Sequence, residues 1–221
     1  MQTTGRKKEA FVVTRVSWLY LYMHYTVYLN KDRQLKKLIA AHGAFELKPR
    51  KKVYLHLCAS IMSQQLSTKV ADIIYQRFVN LYPQPAPTIA QILDTPFEQL
   101  RGIGLSNAKA QYVLNVCSYF KEQRLTDTQL HRMSNEEVLQ CLTPIKGVGQ
   151  WTVEMLLMFT LGREDVFAPD DLGIQQAMIK LYNLNATDKK QLKQDMLRIS
   201  GKWSPYRTYA CLHLWRHKDS K

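Results

Sequence analysis

The stretch Leu142–Met155, LTPIKGVGQWTVEM, reads as the end of one helix, a tight turn holding Gly147 and Gly149, and a second helix starting around Gln150. Glycines in such a turn let the backbone come close to a ligand, and the exposed amides that open the second helix form a positively polarised anion site. Lys146 adds a charge that grips a phosphate and weakens with salt. Taken without its surroundings, the pattern fits either a helix-hairpin-helix that holds a nucleic-acid backbone or an ordinary glycine-bearing turn between helices.

Outward from this hairpin, apolar residues recur at helical spacing from Lys31 onward, and strand-like alternation is scarce. The pattern predicts helices near 32–42, 52–63, 67–82, 88–93, 96–101, 106–122, 135–142, 150–161, 171–182, 188–199 and 205–216. Thr95, Pro96 and Glu98 spell a capping box with proline at the first helical position, and Ser134 with Glu137 repeats the box before Val138 and Leu139. Between Tyr82 and Thr88 three prolines dictate a loop, because proline lacks the amide a helix interior needs. RGIG at Arg101–Gly104 echoes KGVG at Lys146–Gly149, and each precedes a predicted helix.

A chain of 221 residues with 46% hydrophobic content builds a core without covalent staples. Its 31 Lys and Arg against 18 Asp and Glu leave a formal charge of +13, which suits a polyanionic partner and equally suits a merely soluble basic surface. Cys58, Cys117, Cys141 and Cys211 are too widely spaced for the short ligand motifs of zinc or iron-sulfur sites, and they read as reduced thiols of a cytoplasmic protein. At the N-terminus, Arg6, Lys7, Lys8 and Arg15 precede the run Val16–Leu29 and superficially copy a signal peptide. Ser17, His24 and Thr26 interrupt that run and no small-residue cleavage site follows, so residues 1–22 are expected to be an extension dispensable for the fold.

Five segments together resemble the helix-hairpin-helix DNA glycosylase superfamily, and in particular its 3-methyladenine DNA glycosylase II family. They are SIMSQQLSTKVA at 60–71, LRGIGLSNAKA at 100–110, IKGVGQWTVEM at 145–155, DVFAPDDLGIQQ at 165–176 and WSPYRTYACLHLW at 203–215, in family order. The resemblance implies an all-α, two-lobed fold with an active-site cleft between lobes. Residues 1–30 then form a poorly matched extension and 31–221 the helical domain, with a central lobe at about 60–165 and a second lobe from the flanking segments. The separate sheet-bearing N-terminal domain of larger relatives and the iron-sulfur loop of endonuclease III-like relatives have no counterpart in the sequence given.

The same resemblance assigns roles. The second acid of PDD, Asp171, matches the essential aspartate, and the residue type suits the chemistry: N-glycosidic cleavage develops oxocarbenium character that a carboxylate stabilises. Asp170 is expected to be the capping or structural acid. Where bifunctional relatives carry a lysine nucleophile this chain has Trp151, which implies base removal without strand cleavage. Trp151 and Trp215 match aromatic positions of the base pocket, where indole faces attract a methylated, positively charged base. Lys146, Gly147 and Gly149 would hold the DNA backbone. Gln65, with Leu66 beside it, would fill the hole left by the extruded nucleotide, although the turn SQQLS also fits a solvated Gln65 beside a helix cap at Ser67. The expectation is thus a monofunctional glycosylase of alkylated purines. It would be a monomer on damaged double-stranded DNA, cytoplasmic and nucleoid-associated, without a membrane partner and with no metal or organic cofactor. The competing reading is a non-catalytic helix-hairpin-helix DNA-binding module.

Overall fold

The computed structural model describes residues 24–220, which are helical with no strand among the described residues. They form two compact units: a continuous one, Leu47–Arg163, and a discontinuous one from the chain before Leu47 and after Arg163. The expectation for residues 1–22 lies outside the described residues. No helix among those described is long and apolar enough to cross a membrane.

The continuous unit holds α3 (Val53–Ser63), α4 (Thr68–Val79), α5 (Ile89–Leu93), α6 (Phe97–Gly102), α7 (Asn107–Glu122), α8 (Asp127–Arg132), α9 (Asn135–Leu142) and α10 (Gln150–Phe159). Helix α3 is apolar on most sides, burying Val53, Leu55, Leu57, Cys58, Ile61 and Met62, and accordingly packs against α4, α7 and α10. Opposite it, α7 presents Ala110, Val113, Val116, Cys117 and Phe120 at steps of three and four, the spacing that puts side chains on one helical face. Lys52, the cap residue of α3, is left-handed and makes no side-chain cap. Asp127 supplies that cap from α8, its carboxylate accepting from the amides of Lys52 at 2.6 Å and Val53 at 3.0 Å.

Helix starts follow the sequence with two differences. The box at Ser134 and Glu137 forms, whereas α6 starts after Pro96 with no side-chain cap. Thr95 instead closes the preceding helix, donating to the Gln91 carbonyl at 2.8 Å and meeting the Tyr82 hydroxyl at 3.0 Å. Helix α8 was absent from the sequence reading, yet Thr126 and Gln129 form a capping box in front of it. Its six residues are too few to show periodicity.

The discontinuous unit holds α1, described over 24–29, then α2 (Arg33–His42), α11 (Leu172–Tyr182), α12 (Lys189–Ser200), a 3-10 turn at Gly201–Trp203 and α13 (Arg207–Asp219). Residues 24–29, which the sequence reading grouped with the extension, contribute Tyr25 and Leu29 to the core. The Tyr25 ring stacks on Tyr209 at 3.9 Å between centroids. Asp32 caps α2 through its Oδ1, and its Oδ2 accepts from the buried Trp203 indole at 3.1 Å.

Helix α13 packs on both α2 and α11 and buries His213 against His42 and Phe45. Burial first, then the neighbouring His42 and Arg216, depress the His213 pKa to about 3. The folded imidazole is therefore neutral where the unfolded one, near 6.5, takes up a proton, so stability falls as pH falls from about 6.5 towards 3. One such group contributes a slope of up to about 1.4 kcal/mol per pH unit. Urea unfolding at pH 7, 6 and 5 is expected to show this decline, and His213→Phe should flatten it.

Candidate active site

In the discontinuous unit the chain leading to Asp171 is stitched to the start of α13. Asp165 accepts from Arg207 Nε at 2.6 Å and from Ser204 at 2.8 Å. Its desolvation, which raises the carboxyl pKa, is outweighed by these partners, and the net shift is downward. Thr208 receives the Val166 amide at 3.0 Å and donates its own amide to the Glu164 carbonyl at 2.9 Å. Tyr209 donates to the Glu164 carboxylate at 2.8 Å. Val166, Phe167 and Ala168 are buried, so the segment leading to Pro169–Leu172 is fixed on both sides.

Asp171 ends this segment as the N-cap of α11. Its Oδ1 accepts from the Ile174 amide and from Trp215 Nε1, each at 2.8 Å. Two donors on one oxygen set the plane of the carboxylate and so the direction of Oδ2. The indole comes this close because residue 173 is glycine: a Cβ there would lie 3.0 Å from Trp215 Cδ1 and 3.2 Å from Asp171 Oδ1. Gly173 was not singled out from the sequence. Its signal is a glycine inside a helix, where it costs about 1 kcal/mol relative to alanine.

Of the two roles expected for Asp170, capping or structural, the capping one is corrected: Asp171 makes the cap, while both oxygens of Asp170 meet Lys193 Nζ, at 2.8 and 2.9 Å, a structural ion pair. Adjacent acids point to different partners along the turn, and only Asp171 is in register to receive the amide three residues on.

The hairpin lies in the continuous unit. Gly147 has φ of 103°, and a Cβ on it would collide with Cγ, Cδ2 and Cβ of Tyr112. Gly149 is the N-cap of α10, with no side-chain cap bond and open space where a Cβ would stand. Lys146 is exposed, and its carbonyl accepts from Asn115 at 3.2 Å. A ten-residue helix thus presents an N-terminus without a side-chain cap beside a lysine, an arrangement whose polarity suits an anion.

The turn after α3 is tied to this hairpin. Gln64 Nε2 donates to the Gly147 carbonyl at 3.4 Å and meets Thr152 Oγ1 at 3.3 Å. Lys109 Nζ donates to the carbonyls of Met62 at 2.9 Å and Gln64 at 2.7 Å, and its burial lowers its pKa. At the tip Gln65 is exposed and left-handed, with φ of 58°, and Leu66 is exposed beside it. Ser67 takes the N-cap position of α4 without a side-chain bond. Trp151, on the first turn of α10, is 38% exposed although it is a large indole. Gln64 and Lys109 fall inside two of the quoted segments without a role assigned to them, Tyr112 lies just outside, and all three carry this geometry. Among the described residues no three His, Cys, Asp or Glu side chains are grouped to hold a metal ion.

Residues 58–202 match the family described as HhH-GPD superfamily base excision DNA repair protein, and the chain belongs to that superfamily. Over 186 residues it is 35% identical to DNA-3-methyladenine glycosylase 1 of Schizosaccharomyces pombe, spanning 83% of this chain and 80% of that one. Among solved structures it is similar to a DNA-3-methyladenine glycosidase from Bacillus halodurans, with 36% identity, TM-score 0.73 and 86% of each chain covered. It is also similar to the S. pombe 3-methyladenine DNA glycosylase Mag1 in complex with abasic DNA, with 33% identity, TM-score 0.79, and 88% and 96% coverage.

The two hairpin glycines should respond differently to alanine. Gly147→Ala is expected to cost about 1–3 kcal/mol, because its Cβ overlaps Tyr112 and its φ is strained. Gly149→Ala, at an N-cap where alanine is disfavoured but no atom blocks its Cβ, should cost no more than about 1 kcal/mol and in addition weaken DNA binding. Urea midpoints and duplex titrations separate the two.

Proposed function

We propose that the protein is a monofunctional DNA glycosylase that flips alkylated purines out of duplex DNA and hydrolyses their N-glycosidic bonds. The observation that carries this reading is the aimed carboxylate of Asp171, held by a helix amide and an indole on one oxygen. As the C1′–N bond lengthens, positive charge grows on the deoxyribose, and a fixed anion beside it stabilises that charge without reorganising. Water adds to C1′, with its proton leaving towards the carboxylate, and the base departs with the bonding electron pair. A base alkylated on a ring nitrogen is already cationic and leaves neutral, so the charge that weakens the bond also marks the substrate.

Trp151 and Trp215 serve the base by stacking and cation-π attraction. Trp151 has no amine for a Schiff base, so the product is an abasic site on an intact strand. Lys146 and the amides at Gly147 and Gly149 hold a phosphate, and Gln65 with Leu66 fills the stack. A monomer acting in the cytoplasm on nucleoid DNA, with hydrolysis needing no cofactor, completes the proposal.

Asn caps a helix about as well as Asp, so Asp171→Asn separates capping from chemistry. The variant is expected to fold, to bind abasic-site DNA and to release free base from methylated duplex at least a hundredfold more slowly. If the wild type releases no base from alkylated, deaminated or oxidised duplex while both proteins bind it, the chain is a DNA-binding module. Trp215→Phe keeps an aromatic face and deletes the donor to Asp171; loss of a hydrogen bond to a charged group, about 1.5–3 kcal/mol, predicts a rate about 10–150-fold lower. Borohydride should trap no covalent DNA adduct with the wild type.

A further inference from the structure

Helix α12 begins KKQLK, with no acidic residue in its first turn. Lysines at a helix N-terminus oppose the macrodipole, so Lys189 and Lys190 weaken the helix they open. Both are exposed and add nothing to the core. One turn on, Lys193 turns back to Asp170, with Nζ 2.8 and 2.9 Å from its oxygens. These three lysines, Asp170 and Gln175 line a cavity of about 470 Å³ between α11 and α12. Gln175, on the cavity wall, donates to the Pro169 carbonyl at 2.8 Å. A basic cavity is therefore bonded to the residue next to Asp171.

We propose that Lys189, Lys190 and Lys193 form a phosphate clamp for the DNA strand that carries the damaged nucleotide, separate from the hairpin. The proposal rests on the reading of Asp171 as the residue beside the reacting sugar, because the phosphates flanking that sugar then lie within a nucleotide of Asp170. Lysine suits this role: a flexible stem carries a point charge to a phosphate oxygen without demanding one geometry. Asp170 is the internal competitor, holding Lys193 in the free protein until a phosphate displaces it. The clamp fixes the sugar-phosphate in the same unit that fixes the carboxylate, so grip and chemistry share one frame.

Two variants test it in opposite directions, using the full chain and duplex DNA with a stable abasic-site analogue, titrated across a salt series. Lys189→Ala/Lys190→Ala is expected to weaken binding and to reduce the slope of log K against log salt by about 0.9 per lysine, near 1.8 in all. Asp170→Asn is expected to tighten binding, because it frees Lys193 and removes a negative charge. An unchanged salt slope in the double lysine variant, or weaker binding by Asp170→Asn, overturns the clamp. Base release by the wild type reports separately on the glycosylase reading, so that reading can fail or stand independently of the slopes.

Discussion

Oδ1 of Asp171 accepts two hydrogen bonds, one from each of two helices of the discontinuous unit. One donor is the Ile174 amide of α11, which ties the carboxylate to the helix it starts; the other is the indole of Trp215, from α13. Side-chain rotation about an exposed cap costs little, so a cap alone would leave the carboxylate with residual freedom. A second donor from a different helix removes it. The supporting contacts then fall into place: Gly173 admits the indole, Arg207 holds Asp165, and Thr208 holds Val166. All of them keep the segment before Asp171 in register with α13.

The continuous unit applies the same logic to a surface. Its hairpin and the turn after α3 are bonded through Gln64, and Lys109 clamps two carbonyls where α3 ends. Lys109 is held by carbonyls in a partly desolvated place, so its charge supports the turn as well as the surrounding potential. Tyr112 fills the space that Gly147 leaves, which converts a flexible residue type into a fixed bend. A loop that is proposed to hold a phosphate through backbone amides has no side chains with which to correct its aim. Rigidity has to come from neighbours, and here α3 and α7 provide it.

Much of this was legible in the sequence, for identifiable reasons. Helices α7 and α10 start within about two residues of the expected positions, and the glycines of the hairpin announced its turn. Helix α8 escaped because six residues span less than two turns, although Thr126 and Gln129 spelled its cap. Thr95 misled because a threonine between two helices can cap the second or close the first, and sequence spacing does not say which. The exchange of Asp170 for Asp171 as the cap has a similar origin. Two adjacent acids are equivalent as letters, and only backbone register decides which one receives the amide. Contacts distant in sequence, such as Asp127 capping α3 and Lys109 clamping the turn after it, leave no local signal.

The bond that aims Asp171 also alters the ring that makes it. An indole N–H donating to a carboxylate is polarised, and electron density shifts towards the ring, which strengthens the attraction of its face for a cation. In the proposed reaction the bound base is cationic before cleavage and neutral after it, whereas the sugar changes in the opposite sense. Trp215 would then favour the charged base through its face in the ground state and the charged sugar through its N–H in the transition state, by way of Asp171. Equal help to both states would deepen binding without raising the rate. In that proposal the balance tips towards catalysis because the carboxylate would lie beside the atom that gains charge, fixed in advance, while stacking on an indole would tolerate a base that is moving away.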